Sequence, residues 1–392
     1  MAECLTTRFM KTKDHRILVT GATGFIGARV CERLVQAGYT NVRALVHRIA
    51  NAARVARLPV ELCRGDLLDP ESLHHALTDI SVVIHCGLGE GRAIPKGTKN
   101  LLEAAESTHA IRRFVHVSTA AVYGLMPSAE CYTETAIPRP TGNSYCDNKL
   151  KAEKIISHFH RRGMPVVTLR PSIVLGPYSR WSIWELQALR TGNAWLIDDG
   201  MGICNSTYVD NLVDSIFLAI ENENAIGQIF FITDGECVTW RQFMEAHSQL
   251  LEDCPQPHVI SSSELMARNH NAHGLLRASL RAIPRVVASY EFRGLVKRVP
   301  VGDRMLMWAR YKFESCSDDT KARIRARLHC RGSRAPGRNL ALPDLEFCAM
   351  RRGTVEFSIQ RARDVLGYSP RVSFATGMEL TAQWLRFANL LN

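Results

Sequence analysis

The chain has 392 residues, of which 46% are hydrophobic and 22% are charged, and these proportions exclude a disordered, collagenous or fibrous protein. Lysine and arginine number 49 and aspartate and glutamate 38, which gives a formal net charge of +11 at pH 7. The whole excess lies in one basic segment, residues 261–340, which holds 17 basic and 6 acidic residues. At ~150 residues per domain, the length allows two or three domains.

Cysteine usage and hydropathy predict where the protein resides. The 12 cysteines form no Cys-x-x-Cys pair, and the N-terminal sequence is polar, without an apolar signal core. We also find no run of ~18 apolar residues, the length that a membrane-spanning helix needs. We therefore expect a cytoplasmic protein with reduced thiols and without a metal site.

The basic segment 261–340 leaves three interpretations open. In the first, the segment packs on its own domain with its arginines in water. In the second, it caps a substrate cleft. In the third, it makes peripheral contact with an anionic membrane, where each cation contributes ~1 kcal/mol to the free energy of binding. No nucleic-acid-binding motif accompanies the charge. We therefore do not expect nucleic acid as a partner.

Short runs rich in β-branched residues alternate with longer helical patterns in the first part of the chain. The predicted strands are Ile17–Thr20, Val42–Val46, Val60–Arg64, Val82–His85, Phe114–Ser118 and Val166–Arg170. The predicted helices between them are Ala28–Ala37, Ser72–Leu77, Thr98–Glu106 and Leu150–Arg162. This alternation predicts an α/β protein with a doubly wound parallel sheet of the Rossmann type. Further along we predict a helix over Trp181–Arg190, a strand over Gln228–Thr233 and a last amphipathic helix over Gly377–Leu390.

A glycine-rich turn follows the first predicted strand directly and opens the first helix. It reads Gly21-Ala22-Thr23-Gly24-Phe25-Ile26-Gly27. Glycine is needed where the chain must turn tightly and where its backbone must approach a pyrophosphate. Free N–H groups and the positive end of the helix dipole then hold the phosphates. The strand–turn–helix context therefore predicts a dinucleotide site formed by these residues.

The GxxGxxG spacing of this turn resembles that of the extended short-chain dehydrogenase/reductase family. The resemblance covers about residues 15–240 and implies a Rossmann fold, a nicotinamide cofactor and hydride transfer. Two later stretches, residues 208–214 (YVDNLVD) and 227–236 (GQIFFITDGE), look most like the 3β-hydroxysteroid dehydrogenase-like branch of the family. That branch implies a lipophilic substrate.

The tip of the second strand predicts which nicotinamide cofactor is used. An acidic residue there would bind the adenosine ribose diol and select NAD. The chain instead has His47 followed by Arg48, and an imidazole and a guanidinium suit a 2′-phosphate better. We expect NADP(H) to be preferred, and NAD(H) remains open.

Three further stretches receive cofactor-binding roles from the family resemblance. Asp66-Leu67 stands where the family's Asp-Leu clamps the adenine. Cys86-Gly87 stands where the family passes its backbone along the cofactor. Pro171-Ser172-Ile173 resembles the loop beneath the nicotinamide, whose backbone meets the carboxamide.

The reacting groups are predicted from a YxxxK pair, Tyr145 and Lys149. Four residues span about one helical turn, so both side chains lie on one face of a helix. A free tyrosine with a pKa near ~10 is a poor base at pH ~7. A neighbouring ammonium and a cationic nicotinamide favour the phenolate, so we expect Lys149 to lower the pKa of Tyr145 and to hold the nicotinamide ribose.

A hydroxyl at the end of the fifth strand completes the predicted catalytic set. Aligned on the following Val122-Tyr123-Gly124, Thr119 takes the family's catalytic Ser/Thr place, where its hydroxyl polarises the substrate oxygen. Ser118 is the reserve candidate. Sugar dehydratases of the family carry Asp-Glu just after this threonine, whereas the chain has Ala120 and Ala121. We therefore exclude elimination of water.

The sequence thus predicts an NADP(H)-dependent oxidoreductase that acts on a secondary alcohol or ketone of a lipophilic or polycyclic small molecule. The first alternative is a nucleotide-sugar 4-epimerase with tightly bound NAD. The second alternative is a non-catalytic cofactor-binding scaffold, although a binding protein needs no acid/base pair. A homodimer is a family-level expectation.

The predicted domain organisation is discontinuous. Residues 1–14 form an N-terminal tail, and residues 15–176 form the NAD(P)-binding Rossmann domain, to which residues 206–235 return. A smaller substrate-binding part comprises residues 177–205 and 236–392 and includes the basic segment.

Overall fold

The computed structural model describes residues 15–87, 89–272 and 342–391. The predicted N-terminal tail and most of the basic segment lie outside the described residues. None of the helices in the described ranges combines the length and the apolar character needed to cross a bilayer.

The strands within these ranges are short and mostly buried. They are β1 Ile17–Thr20, β2 Val42–Val46, β3 Glu61–Arg64, β4 Val82–His85, β5 Arg113–Val117, β6 Val166–Pro171, β7 Ile173–Leu175, β8 Trp195–Ile197, β9 Ser206–Tyr208, β10 Ile229–Ile232 and β11 His258–Ile260.

The α-helices of the described ranges alternate with these strands. They are α1 Phe25–Gln36, α2 Pro70–Ala76, α3 Ala93–Thr108, α4 Ser144–Arg161, α5 Arg180–Arg190, α6 Val209–Glu221, α7 Trp240–Ser248, α8 Ser262–Ala272, α9 Leu345–Arg352 and α10 Phe374–Phe387. Short 3₁₀ helices include Ile49–Arg54 and Ala120–Tyr123.

Seven of the described strands form the central sheet, in the order β10-β6-β5-β4-β1-β2-β3. All of its strand pairs are parallel. The predicted Rossmann-type sheet is confirmed. The strand order reverses between β1 and β4, and in open α/β sheets the crevice at such a point, beyond the carboxyl ends of the strands, is where ligands bind.

Helices cover both faces of the sheet, because alternate side chains of each strand point to opposite sides. Ile17 and Val19 of β1 pack into a core with α1 and α6. Leu18, between them, packs into a second core with α2, α3 and α4. Burial on both faces explains why the strands read as continuous apolar runs in the sequence.

Helix α4 begins at Ser144, whereas the sequence pattern predicted a start at Leu150. The apolar periodicity used for the prediction is absent from the polar first turns, SYCDNK. Asn143 caps the helix instead, and its Oδ1 accepts a hydrogen bond from the Cys146 N–H at 3.0 Å. The earlier start places Tyr145 in the first turn of α4.

The chain after α9 returns to the sheet. Phe357 stacks on Phe231 of β10, with ring centroids 4.6 Å apart. Asn211 of α6 hydrogen-bonds the backbone of Val372, just before α10. The C-terminal residues therefore pack on the strand and helix that complete the Rossmann sheet.

Candidate active site

The glycine turn lies where β1, α1 and the end of β4 approach each other closely. Gly21 has φ +67°, and a Cβ there would lie 2.6 Å from the carbonyl oxygen of Cys86. A Cβ on Gly27 would lie 2.3 Å from the carbonyl oxygen of Gly21. Gly24 is the N-cap of α1, and its position provides no side-chain hydrogen bond to the first turn. This bare turn fits a dinucleotide pyrophosphate, which N–H groups at a helix N-terminus bind.

The predicted adenosine-binding residues are gathered at the ends of β2 and β3. His47 is exposed, and its Nδ1 lies 3.5 Å from the Oδ2 of Asp66. The other carboxylate oxygen of Asp66 accepts a hydrogen bond from the Leu68 N–H at 2.9 Å. Arg48 is also exposed, and no salt bridge joins it to any part of the chain that the structure describes. An exposed cation that forms no salt bridge with the described residues is suited to binding a phosphate.

The end of β4 approaches the glycine turn through small groups. The Gly87 N–H donates to the Thr20 Oγ1 at 3.1 Å, and a Cβ on Gly87 would lie 2.7 Å from a methyl of Leu67. Burial raises the pKa of the Cys86 thiol to about 12, so this cysteine stays protonated and is not a nucleophile. Leu67, Cys86 and Gly87 therefore lie together, as the cofactor-binding prediction requires.

Tyr145 and Lys149 lie on one face of α4 and differ in exposure. The Tyr145 side chain is 41% exposed, whereas Lys149 is only 4% exposed. The Asp147 carboxylate accepts hydrogen bonds from the N–H groups of Thr141 and Gly142 at 2.7 and 3.1 Å, which fixes the loop before the helix. Tyr145 thus lies on a tightly held first turn, where its side chain is partly exposed and partly desolvated.

The pKa values of this pair differ from the sequence-based expectation. Desolvation raises the pKa of Tyr145, and hydrogen bonding with the Thr119 side chain opposes that rise. Desolvation lowers the pKa of Lys149 to about 8, and its Nζ donates to the Val117 carbonyl oxygen at 3.0 Å. The expected lowering of the Tyr145 pKa by Lys149 is therefore not seen, because desolvation is the largest cause of the shift and Lys149 is not among its causes.

The two hydroxyls at the end of β5 have different surroundings. Thr119 interacts with Tyr145, and its Oγ1 also accepts a hydrogen bond from the Ala121 N–H at 3.2 Å. Ser118 donates instead to the buried carboxylate of Glu153 at 2.5 Å. Thr119 therefore acts on the pKa of the Tyr145 phenol, whereas the Ser118 hydroxyl is committed to Glu153.

The predicted nicotinamide loop, Pro171-Ser172-Ile173, joins β6 to β7. The Ser172 N–H points toward the Thr207 Oγ1 at 3.4 Å, and the Ile173 N–H donates to the Asn205 carbonyl oxygen at 3.1 Å. Pro171 and Ile173 are buried, and Ser172 is partly exposed. This loop leaves the sheet at the same edge as Thr119, because β5 and β6 are parallel neighbours.

Sequence reasoning missed three charged residues beside this site. Glu153 and Arg170 form a buried ion pair behind Ser118, with Arg170 Nη2 2.6 Å from Glu153 Oε2. Arg54 lies at the end of the 3₁₀ helix after β2, with Nη1 3.4 Å from the Gly24 carbonyl oxygen. No fixed sequence spacing links Glu153 to Arg170. The only available signal is that charged residues are rarely buried, so a charged residue within a predicted buried strand, such as Arg170, requires a partner.

The fold and the candidate site together indicate a class of nicotinamide-dependent enzymes. Its features here are the doubly wound sheet, the glycine turn where the strand order reverses, and the Tyr145–Lys149 pair of α4 next to Thr119. A model of the NAD dependent epimerase/dehydratase family matches residues 17–232, and the chain belongs to this family. It is an NAD(P)-dependent enzyme of the extended short-chain dehydrogenase/reductase type.

Relatives of known activity extend over most of the described chain. A 2-alkyl-3-oxoalkanoate reductase of Stenotrophomonas maltophilia (strain K279a) is 29% identical over 261 residues, which are 62% of this chain and 77% of the relative. A decarboxylating sterol-4-alpha-carboxylate 3-dehydrogenase of Bos taurus is 26% identical over 277 residues, 65% of this chain and 75% of the relative. The predicted likeness to the 3β-hydroxysteroid dehydrogenase-like branch is confirmed by this pattern of relatives.

Solved structures share the fold at lower identity. The UDP-glucuronic acid 4-epimerase of Bacillus cereus, in complex with NAD, has a TM-score of 0.63 and 20% identity, over 95% of this chain and 99% of that one. At this identity the likeness supports the architecture alone.

Proposed function

We propose that the protein is an NADP(H)-dependent oxidoreductase that interconverts a ketone and a secondary alcohol on a small lipophilic molecule. The observation that carries the proposal is the combination of Tyr145 and the buried Lys149 on one turn of α4 with Thr119, whose side chain interacts with the phenol, at the sheet edge that also bears the glycine turn. A protein that only bound a nucleotide would need no such acid/base group.

In the reductive direction, each residue of this set has one task. When bound, the nicotinamide supplies the hydride to the carbonyl carbon. Tyr145 donates its phenolic proton to the carbonyl oxygen, and the Thr119 hydroxyl donates a hydrogen bond to the same oxygen. Lys149 would hold the ribose hydroxyls, and its ammonium favours the phenolate that the proton transfer leaves. The oxidative direction reverses these steps.

The raised pKa of Tyr145 is compatible with this role. A phenol that stays protonated at neutral pH is the acid that a ketone reduction requires. In the oxidative direction the same phenol must first lose its proton, which becomes easier once a cationic nicotinamide lies nearby.

The preference for NADP(H) rests on His47 and Arg48, two exposed groups at the tip of β2 where an NAD-selecting enzyme needs an acid. The lipophilic substrate class is supported by the names of the two relatives, which act on an alkyl-substituted oxo acid and on a sterol. We further propose that residues 177–205 and 236–392 supply the substrate-binding part.

Turnover of the purified full chain tests the proposal. We expect 2-alkyl-3-oxoalkanoates or 3-ketosteroids to oxidise NADPH faster than NADH, as read from the absorbance of the reduced nicotinamide. Tyr145→Phe removes the proton donor and should lower kcat by roughly 10²–10⁴-fold, with the dissociation constant of NADPH nearly unchanged. Undiminished turnover of this variant would remove Tyr145 from the mechanism.

Two other outcomes distinguish the alternatives. A nucleotide-sugar 4-epimerase would release NAD on denaturation and would interconvert sugar epimers without net consumption of cofactor. A scaffold would bind NADPH with normal affinity and reduce no ketone in the panel. Either result would replace the oxidoreductase assignment.

A further inference from the structure

A buried carboxylate, that of Glu153, joins three parts of the candidate active site. Its Oε1 accepts hydrogen bonds from the Ser118 Oγ at 2.5 Å and from the Arg170 Nε at 3.0 Å. Its Oε2 accepts from the Arg170 Nη2 at 2.6 Å. Glu153 is 7% exposed and Arg170 is 2% exposed. The pair is thus bidentate, dehydrated and fully hydrogen-bonded on the carboxylate side.

Each partner of Glu153 immediately precedes a residue that the proposed reaction uses. Ser118 precedes Thr119, and Arg170 precedes the loop Pro171-Ser172-Ile173. Glu153 itself lies one helical turn after Lys149 on α4. Three separate elements, α4, β5 and β6, therefore converge on one carboxylate.

The backbone transmits the position of Ser118 to Thr119. The Ser118 N–H donates to the Leu169 carbonyl oxygen at 2.7 Å, so both its backbone and its side chain are fixed. Thr119 is extended, with φ −161° and ψ 148°. Since successive side chains of extended backbone point in opposite directions, holding Ser118 toward Glu153 turns the Thr119 side chain to the other side of the strand, where it interacts with Tyr145.

A second contact fastens the same strand end to α4. The Lys149 Nζ donates to the carbonyl oxygen of Val117, the residue before Ser118. Lys149 and Glu153, on one face of α4, thus hydrogen-bond to the consecutive residues Val117 and Ser118. This arrangement fixes the distance between the helix that carries Tyr145 and the strand that carries Thr119.

Stability alone explains this ion pair poorly. The dehydration of two charges largely offsets their attraction, and well-packed apolar residues often stabilise a core as well. The alternative reason for such a pair is that its hydrogen bonds fix the relative positions of the elements that it joins. The contacts of Glu153 define the positions of the residues that flank the catalytic groups.

We propose that Glu153 is a positioning residue that sets the approach of Thr119 to Tyr145 through Ser118 and orders the nicotinamide loop through Arg170. The inference rests on the proposed function for its kinetic meaning. It also has a structural consequence, the Thr119–Tyr145 contact, that can be measured without turnover.

Four single-residue variants test the proposal. Ser118→Ala removes the contact next to Thr119, and Glu153→Gln keeps the shape but removes the charge. Tyr123→Phe is the matched control, because it removes the hydroxyl that accepts from Arg170 Nη1 at 2.7 Å and leaves the Nε and Nη2 contacts of Arg170 with Glu153 in place. We expect Ser118→Ala and Glu153→Gln to lower kcat about tenfold, with the KM for ketone and the dissociation constant of NADPH changed less than about twofold. We expect Tyr123→Phe to retain wild-type kcat, and Ser118→Thr, which restores a hydroxyl, to recover most of the loss.

The second readout is the titration of the Tyr145 phenol in the cofactor-free protein. It is followed by nuclear magnetic resonance of ring-labelled tyrosine and assigned by comparison with Tyr145→Phe. Hydrogen bonding with Thr119 lowers the pKa of this phenol, so displacement of Thr119 should raise it in Ser118→Ala and leave it unchanged in Tyr123→Phe.

The outcomes separate the two proposals. If the wild type reduces no ketone, the proposed function fails. The titration of the Tyr145 phenol then decides by itself whether Glu153 has a positioning role. If Ser118→Ala leaves the Tyr145 titration at its wild-type position, or if Ser118→Ala and Tyr123→Phe lose kcat equally, the positioning role is overturned. Should Glu153→Gln fail to fold, Ser118→Ala and its control still give the answer.

Discussion

Lys149 is a buried ammonium whose Nζ donates to the Val117 carbonyl oxygen, and its burial outweighs the favourable charge of Glu153. Its pKa is about 8 in the folded chain, against about 10.4 for an unfolded lysine. Below pH 8 both states are protonated, and the folded state carries the full cost of burying the charge. The buried charge of Lys149 therefore lowers the free energy of unfolding at neutral pH.

This cost predicts how stability depends on pH. Between about pH 8 and about pH 10 the unfolded chain binds more protons at this residue than the folded chain does, so the free energy of unfolding should rise with pH, by at most ~3 kcal/mol. Lys149→Met should lack this rise, whereas Lys151→Met, an exposed neighbour on the same helix, should keep it. Urea unfolding across this range measures the difference, and identical pH slopes in all three proteins would contradict the shifted pKa.

Arg48 permits a prediction about cofactor choice. Arg48→Asp should weaken the binding of NADPH relative to that of NADH. The ratio of the two dissociation constants should change about 10–100-fold, because a charge-assisted hydrogen bond contributes ~1.5–3 kcal/mol. Arg57→Asp makes the same charge change at another exposed position of the segment between β2 and β3 and should leave the ratio near its wild-type value. Cofactor titration by fluorescence gives both ratios, and equal shifts in the two variants would indicate a general electrostatic effect instead.

At the scale of elements, the contact between α1 and the glycine turn predicts a steric effect. A Cβ on Gly27 would meet the Gly21 carbonyl oxygen at 2.3 Å, whereas a Cβ on Gly24 would meet the same atom at 3.2 Å. Gly27→Ala should therefore destabilise the cofactor-free protein by ~1–3 kcal/mol, since overpacking forces backbone to move. Gly24→Ala should cost less, and denaturant unfolding compares them. A Gly27→Ala protein as stable as Gly24→Ala would show that α1 can shift without cost.

Elements with strong local signals were predictable from the sequence. The strands of the Rossmann sheet were placed within about two residues, because buried parallel strands read as unbroken apolar runs. Helix starts were harder, as α4 shows, since its polar first turns carry no apolar periodicity and Asn143 alone marks the start. The glycine turn and the Tyr145–Lys149 pair depend on local spacing and could be read directly.

The contacts that join separate elements could not be predicted in this way. Ser118 and Thr119 are adjacent hydroxyls, and only the three-dimensional positions of Glu153 and Tyr145 decide which one faces the site. The Glu153–Arg170 pair joins a helix to a strand with no fixed sequence offset. The raised pKa of Tyr145 depends on burial, which a sequence does not give.

For the whole molecule, Asn211 links α6 to the C-terminal residues. It is fully buried, and its amide donates to the Val372 carbonyl oxygen at 2.7 Å and to Asp234 at 2.8 Å. Its Oδ1 accepts from the N–H groups of Arg371 and Val372. One side chain thus satisfies three backbone groups of the returning chain.

We therefore expect Asn211→Ala to reduce the free energy of unfolding by ~2–4 kcal/mol, because buried backbone groups lose their partners. Asn193→Ala removes only hydrogen bonds to the nearby Thr191 and should cost less than ~1 kcal/mol. Thermal or urea unfolding of the cofactor-free proteins provides the comparison. Equal losses would mean that the C-terminal residues contribute little to the stability of the sheet.

The position of β10 at the sheet edge affects how the protein is made. β6 ends at Pro171, but its neighbour β10 begins only at Ile229, so a nascent chain has made six strands of the central sheet before the seventh exists. At ~5–20 residues per second, the ribosome leaves the β6 edge uncovered for several seconds, with unpaired N–H and C=O groups that can template aggregation. Translation speed and chaperone occupancy over this interval therefore influence how much of the chain reaches its native form.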